Sequence, residues 1–201
     1  MQSILITGGC GFIGSHTCIS LLERNFNVIV IDSNINSNEI VLKKIIDIGS
    51  LENKEYAKQL RFIKGDIRDF SLLDSIFSNA ILNKKPVDGV IHFAGLKAVE
   101  ESVKDPLLYW DNNLCGSINL FKVMQKYDCK NIVFSSSATL YGNSIKKFIS
   151  ENEKLKPCNT YGKTKLEIEN ILNELFVSSG EKWKIANLRY FNPIGAHSSG
   201  L

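Results

Sequence analysis

Tyr161 and Lys165, in the stretch Tyr161-Gly-Lys-Thr-Lys165, set a phenol and an ammonium four residues apart. The run that follows carries Leu166, Ile168, Ile171, Leu172 and Leu175 near helical spacing, with acids between them. On a helix, positions i and i+4 share a face, so Lys165 is expected beneath the ring of Tyr161. A cation there favours phenolate over phenol and lowers a pKa that is ordinarily about 10. The chemistry on offer is proton abstraction near neutral pH. Tyr and Lys at this spacing also decorate solvated helix faces, so the pair gains chemical meaning only from its surroundings.

Those surroundings begin at the other end of the chain. A short apolar run, Ser3-Ile-Leu-Ile-Thr7, leads into Gly8-Gly-Cys-Gly-Phe-Ile-Gly14, and a helical pattern follows. Gly9, Gly11 and Gly14 satisfy G-x-G-x-x-G, and Gly8, Gly11 and Gly14 satisfy a second glycine spacing. Such a turn needs backbone free of Cβ hindrance so that a pyrophosphate can approach it, and the helix after it offers unpaired N–H groups to phosphate. A second apolar strand, Val28-Ile-Val-Ile31, ends in Asp32, where a carboxylate can bond the ribose hydroxyls of NAD. The neutral polar stretch after it brings Ser33, Asn34, Asn36 and Ser37 to the same side, and no Lys or Arg follows Asp32 before Lys43. A 2′-phosphate would meet an acid and no cation, so the expected cofactor is NAD rather than NADP.

The elements that must position these groups alternate. Residues 39–59 read as a polar helix flanking the cofactor. Arg61–Gly65 reads as a strand, followed by Asp66, and Asp69 is the expected N-cap of a helix through Leu72, Leu73, Ile76 and Phe77. Val87–Phe93 is the next strand. A long helical stretch from about Val99 to Tyr127 is bent or restarted at Pro106. Asn131–Ser135 and Trp183–Phe191 are the last strands, with the Tyr161 helix between them after a polar loop. Alternating strand and helix predicts a doubly wound, Rossmann-type α/β fold, a parallel sheet wrapped by helices. In such sheets ligands bind beyond the carboxyl ends of the strands, where the chemistry-bearing residues of this chain collect.

Bulk properties exclude several classes. The chain has 201 residues, 44% hydrophobic and 22% charged, with a net charge of only +3 and no basic stripe for nucleic acid. No apolar run approaches a membrane span, and the first residues enter a strand without a charged leader, so no secretory signal is expected. The five cysteines form no C-x-x-C, which fits a reducing, cytoplasmic setting. His16, His92 and His197 are far apart, and no metal site is expected.

Several further segments are specific: His92-Phe-Ala-Gly-Leu-Lys-Ala-Val99, Asp111-Asn-Asn113, Ser135-Ser-Ser-Ala-Thr-Leu-Tyr-Gly142 and Leu188-Arg-Tyr-Phe-Asn-Pro-Ile-Gly-Ala-His197. Together with the glycine and Tyr-x-x-x-Lys motifs, they resemble the extended short-chain dehydrogenase/reductase family in the same order along nearly all of the chain. Ala94–Val99 and Ser135–Thr139 resemble most sharply its sugar-nucleotide 4-epimerase branch. The resemblance implies an NAD-dependent isomerase that interconverts UDP-galactose and UDP-glucose through a transient 4-keto sugar.

The resemblance also implies roles. Tyr161 is the acid/base at the 4-hydroxyl, Lys165 binds the nicotinamide ribose, and Ser137 hydrogen-bonds the reacting oxygen. Gly8, Gly11, Phe12, Ile13 and Gly14 form the pyrophosphate turn, and Asp66 with Ile67 forms the adenine pocket. Phe93, Ala94, Gly95 and Lys97 border the cofactor, with Asn112 and Phe191 nearby; Lys97 and Asn192 reach the UDP-sugar. Plainer readings stand beside these: Asp66 as a turn cap, Lys97 as a solvated loop lysine, Ser135–Ser137 as a polar strand end, and Phe12, Phe93 and Phe191 as core. Residues 1–191 are expected to form the NAD-binding unit and 192–201 the start of a largely absent substrate-binding region. A homodimer through the 99–127 helix and the Tyr161 helix is implied in the same way.

Related 4,6-dehydratases place an Asp-Glu pair after the Ser or Thr of the serine motif, because elimination needs an extra acid and base. Ala138 and Thr139 stand there in this chain. An epimerase of another UDP-sugar, such as UDP-N-acetylglucosamine or UDP-glucuronate, and a non-catalytic NAD-binding module remain as alternatives.

Overall fold

A computed structural model describes residues 1–51, 53–144 and 146–200. Glu52, within the expected 39–59 helix, and Leu201, the last residue of the expected 192–201 region, lie outside the described residues. The strands are β1 (Ser3–Thr7), β2 (Asn27–Asp32), β3 (Leu60–Lys64), β4 (Val87–His92), β5 (Asn131–Ser137) and β6 (Lys184–Tyr190). They form one sheet in the order β3-β2-β1-β4-β5-β6, with all five pairings parallel. The order reverses between β1 and β4, which opens a crevice at the carboxyl ends of those strands.

Side-chain alternation sends the apolar residues of one strand to two cores. Ile29 and Ile31 of β2 join the core beneath the helices α3 (Phe70–Leu82), α6 (Gly116–Lys126) and α7 (Thr160–Ser178). Val28 and Val30 join the opposite core, beneath α1 (Phe12–Glu23) and α2 (Ile40–Leu51). The chain is therefore doubly wound, as expected from its sequence. Among the described residues no helix is long and apolar enough to cross a membrane.

The helical stretches differ from expectation in detail. Residues 39–59 are not one helix: α2 ends at Leu51, Asn53 takes a left-handed conformation at φ 54°, and a single 3₁₀ turn covers Tyr56–Lys58. Pro106 does restart the long stretch. The helix α4 (Val99–Lys104) stops before it, and α5 (Pro106–Tyr109) begins on it, with the Asp105 carboxylate accepting from the Leu108 N–H at 3.2 Å. A widened π-helical segment, Trp110–Cys115, then leads into α6. Asp69 caps α3 by accepting from the Leu72 N–H. β5 runs past Ser135 to Ser137 because β6 pairs with it that far, Ser137 opposite Tyr190.

Candidate active site

A cleft of about 600 Å³ lies across the carboxyl ends of the strands. Its first wall is the glycine turn between β1 and α1. Gly8 sits at φ 71°, and a Cβ there would lie 2.6 Å from the Ala94 nitrogen. A Cβ at Gly14 would lie 2.4 Å from the Gly8 carbonyl oxygen. Only glycine lets the turn, the β4 end and α1 close together this tightly. No side chain caps α1 at Gly11, so its first N–H groups face the cleft without an intrahelical partner.

Asp32 anchors the second wall. Its buried carboxylate accepts from the Cys10 N–H at 2.9 Å, the Asn34 N–H at 2.9 Å and the Ser37 hydroxyl at 2.7 Å. The carboxylate thus locks the glycine turn to the loop after β2 and still lines the cleft. Further along, Asp66 does more than cap a turn. It accepts from the Arg68 N–H and pairs with the Arg68 guanidinium, which holds its pKa below the usual carboxylate value. Arg68 also reaches Asp111 at 2.6 Å and so ties the loop after β3 to the π-helical segment.

That segment places Asn112 on the cleft wall and buries Asn113 beside it. The Asn113 amide exchanges two hydrogen bonds with the backbone of Leu96, at 2.8 and 3.0 Å, and donates to Thr164 on α7 at 3.3 Å. Beneath it runs a buried polar chain: Thr7 to His92 at 2.6 Å, His92 to Ser117 at 2.8 Å, and the Ser117 hydroxyl to the Asn113 carbonyl. Ser117 donates its one proton to that carbonyl, so His92 donates to Ser117 through Nε2 and accepts from Thr7 at Nδ1. Burial, with the charge of Lys165, pushes the His92 pKa down to about 3, so His92 acts as a neutral strut.

Tyr161, Lys165 and Ser137 come together at the junction of β5 and α7. Lys165 is buried, donates to the Ser135 carbonyl at 2.8 Å, and lies 4.8 Å from the Phe134 ring centre and 5.9 Å from that of Tyr161. Ser137 accepts from the Thr139 N–H at 3.2 Å and its hydroxyl at 2.9 Å. The α7 N-terminus is fixed by Asn159, whose side chain accepts from the Gly162 N–H at 2.8 Å. One expectation is corrected here. Lys165 does not lower the Tyr161 pKa in this structure. Burial raises it, opposed only by the hydrogen-bonding influence of Ser137. Burial likewise lowers Lys165 to about 8, because its amine has a carbonyl rather than a carboxylate as partner.

The cleft gathers Gly8, Gly11, Phe12, Ile13, Gly14, Asp32, Ser33, Asn36, Ser37, Asp66, Ile67, Phe93, Ala94, Gly95, Lys97, Asn112, Ser137, Tyr161, Lys165, Phe191 and Asn192. Asn34 stands apart: its backbone bonds Asp32, and its side chain turns to Glu39 at 3.1 Å. Phe12 and Phe191 are not core residues, being 48% and 65% exposed. Thr139 and Tyr190 also line the cleft, although neither was among the expected cofactor or substrate residues. Asn113, Thr7, His92 and Ser117 were missed as positioning residues; a buried polar run ending at a glycine-containing loop was the available signal.

With this geometry in view, similarity to known proteins becomes specific. The sequence profile of the GDP-mannose 4,6 dehydratase family matches residues 5–200. The chain belongs to that family. Within the GDP-mannose 4,6 dehydratase family, its relatives include the bifunctional UDP-glucose 4-epimerase and UDP-xylose 4-epimerase 1 of Pisum sativum. That protein is 48% identical over 199 residues, 99% of this chain and 54% of the pea protein. UDP-glucose 4-epimerase 2 of Oryza sativa subsp. japonica is 44% identical, covering 100% of this chain and 47% of the rice protein. The UDP-glucose 4-epimerase of Bifidobacterium longum, solved with NAD+ and UDP, superposes with a TM-score of 0.88 at 42% identity, covering 99% of this chain and 56% of that one. The chain spans about half the length of the curated relatives it matches. The family's name denotes an elimination, yet the positions associated with the elimination acid and base hold Ala138 and Thr139 here.

Proposed function

We propose that the chain is the NAD-holding part of a UDP-glucose 4-epimerase that interconverts UDP-galactose and UDP-glucose through a transient 4-keto sugar. The observation that carries this reading is the convergence of Tyr161, Lys165 and Ser137 on the same cleft as the glycine turn and Asp32. The donor set fits NAD: an uncapped helix N-terminus for the pyrophosphate, a carboxylate for a ribose, and Lys97 and Lys165 as the only basic side chains among the described residues lining the cleft. A 2′-phosphate would find no cation at Asp32.

When bound, NAD supplies a reversible two-electron acceptor. Tyr161 carries the proton of the sugar 4-hydroxyl, and Ser137 hydrogen-bonds the same oxygen. Lys165, with its pKa near 8, is mostly an ammonium at pH 7 and is available to a ribose hydroxyl. Burial raises the Tyr161 pKa in this structure; to take the 4-hydroxyl proton Tyr161 must act as the phenolate, the form that nearby positive charge favours. Return of the proton after the keto sugar presents its other face inverts C4, with no net redox change. Residues 1–191 would hold NAD, and residues 192–201 would begin the sugar-binding region. A homodimer is supported by the exposed apolar side chains of Val103 on α4 and Leu107 on α5. A cytoplasmic setting is supported by five free cysteines.

The test is conversion of UDP-galactose to UDP-glucose by the purified protein with NAD, beside a Tyr161→Phe variant. Loss of roughly 10²- to 10⁴-fold in the variant is expected for a positioned acid/base. An undiminished rate in the variant, or a 4-keto-6-deoxy product, would overturn the reading.

A further inference from the structure

Glu169 lies on α7 four residues beyond Lys165 and eight beyond Tyr161, so all three follow one side of the helix. Its carboxylate is buried, and nothing in the proposed chemistry uses it. Oε1 accepts from the Ser136 hydroxyl at 2.5 Å and from Arg189 Nε at 3.1 Å, and Oε2 accepts from the Arg189 guanidinium at 2.7 Å. Ser136 stands between the two serines the site depends on: Ser135, whose carbonyl receives Lys165, and Ser137, on the cleft wall.

Arg189 is the register partner of Ser136 across the β5–β6 ladder. Its guanidinium also donates to the Tyr141 hydroxyl at 3.0 Å and to the Glu151 carbonyl at 3.1 Å. One carboxylate and one guanidinium thereby join α7, β5, β6, the turn after Ser137 and the loop that leads back to Tyr161. Both acceptor oxygens are occupied and the guanidinium uses all three nitrogens, which gives the pair a fixed orientation that a point charge would lack.

We propose that Glu169 and Arg189 form a clamp, through Ser136, that holds α7 in register with β5 and so fixes Lys165 and Tyr161 against Ser135 and Ser137. They are positioning residues and touch neither substrate nor cofactor. The inference deepens the proposed function and rests on it for its catalytic meaning, while the geometry it asserts can be tested without it.

The experiment follows the Lys165 ammonium by ¹H–¹⁵N NMR at about pH 6, where a buried, hydrogen-bonded ammonium exchanges slowly with water, with Lys165→Met identifying the signal. NAD affinity is measured by calorimetry on the same samples. Glu169→Ala should erase the Lys165 signal and weaken NAD binding at least tenfold. Glu169→Gln, whose amide keeps an acceptor for Ser136 and Arg189, should restore most of both. Leu172→Ala, a core truncation on the same helix that leaves the clamp intact, serves as the control at equal loss of melting temperature and should leave the signal in place. If Glu169→Ala fails to fold, Ser136→Ala tests the same link with the ion pair retained and should broaden the signal. A Lys165 signal unchanged in Glu169→Ala or Ser136→Ala, or lost equally in Leu172→Ala, overturns the clamp. Failure of the wild-type protein to bind NAD would instead strike the proposed function and leave the ammonium signal as the test of the clamp.

Discussion

The two ends of the cleft are built differently. At the nucleotide end, all six residues of β2 are buried, α1 and α2 close one face, and Asp32 ties two loops together through three hydrogen bonds. At the end proposed for the sugar, β6 has no buried residue, and Phe191 and Ile194 just beyond it are 65% and 94% exposed. The nucleotide end is a finished wall held by its own backbone. The proposed sugar end is one side of a wall, tied to α7 through the half-buried Arg189 of β6 and the buried Glu169. Cofactor affinity and fold stability should therefore respond together at the first end and separately at the second.

The largest expected effect is at the glycine turn. Gly14→Val puts a side chain into the Gly8 carbonyl, with its Cβ 2.4 Å from that oxygen in the present backbone. It should cost roughly 3 kcal/mol or more of stability and abolish NAD binding, read by urea denaturation and calorimetry. Retained NAD affinity in this variant would break the comparison at its stronger end.

Lys165, at the junction of the two ends, gives a pH signature. Its folded pKa, near 8, is depressed from 10.5, so from about pH 8 to about 10 the unfolded chain binds the extra proton. Relative to Lys165→Met, stability should therefore rise with pH across that window, by on the order of 2 kcal/mol from this group. In both proteins the buried thiols of Cys10, Cys18 and Cys129 and, above about pH 10, the phenols of Tyr161 and Tyr190 keep protons that the unfolded chain loses, which lowers stability as pH rises. Denaturation curves at stepped pH in both proteins check it, the wild-type minus Lys165→Met difference growing from about pH 8 to about 10.

The smallest effect is expected at the sugar end. Phe191→Ala removes an exposed ring and should change stability by about 0.5 kcal/mol or less, while lowering affinity for a UDP-sugar more than for NAD. Equal losses for both ligands would show that the two ends are not separable.

Much of this difference was legible in the sequence, for physical reasons that also explain the misses. The glycine turn and Asp32 are local: spacing within one strand–turn–helix unit fixes their geometry, so residue order alone points to them. Pro106 and the Asp69 cap are local in the same sense. The helix expected over 39–59 broke because Asn53 adopts a left-handed backbone that side-chain periodicity does not encode. The direction of the Tyr161 shift was missed because i,i+4 spacing places Lys165 near the ring but says nothing of burial, and desolvation raises the pKa against the Ser137 hydrogen bond alone. Asn113, His92 and the Glu169–Arg189 pair act across 17 to 85 residues of chain, and only the fold brings their partners together.

The most direct test of the central claim is calorimetric titration of the purified chain with NAD and, separately, with NADP. Saturable binding of NAD, with NADP at least tenfold weaker and the difference reduced in Asp32→Ala, is the expected result. No binding of NAD, or equal affinity for both dinucleotides, would contradict the assignment of the glycine turn and Asp32 as a self-sufficient NAD site.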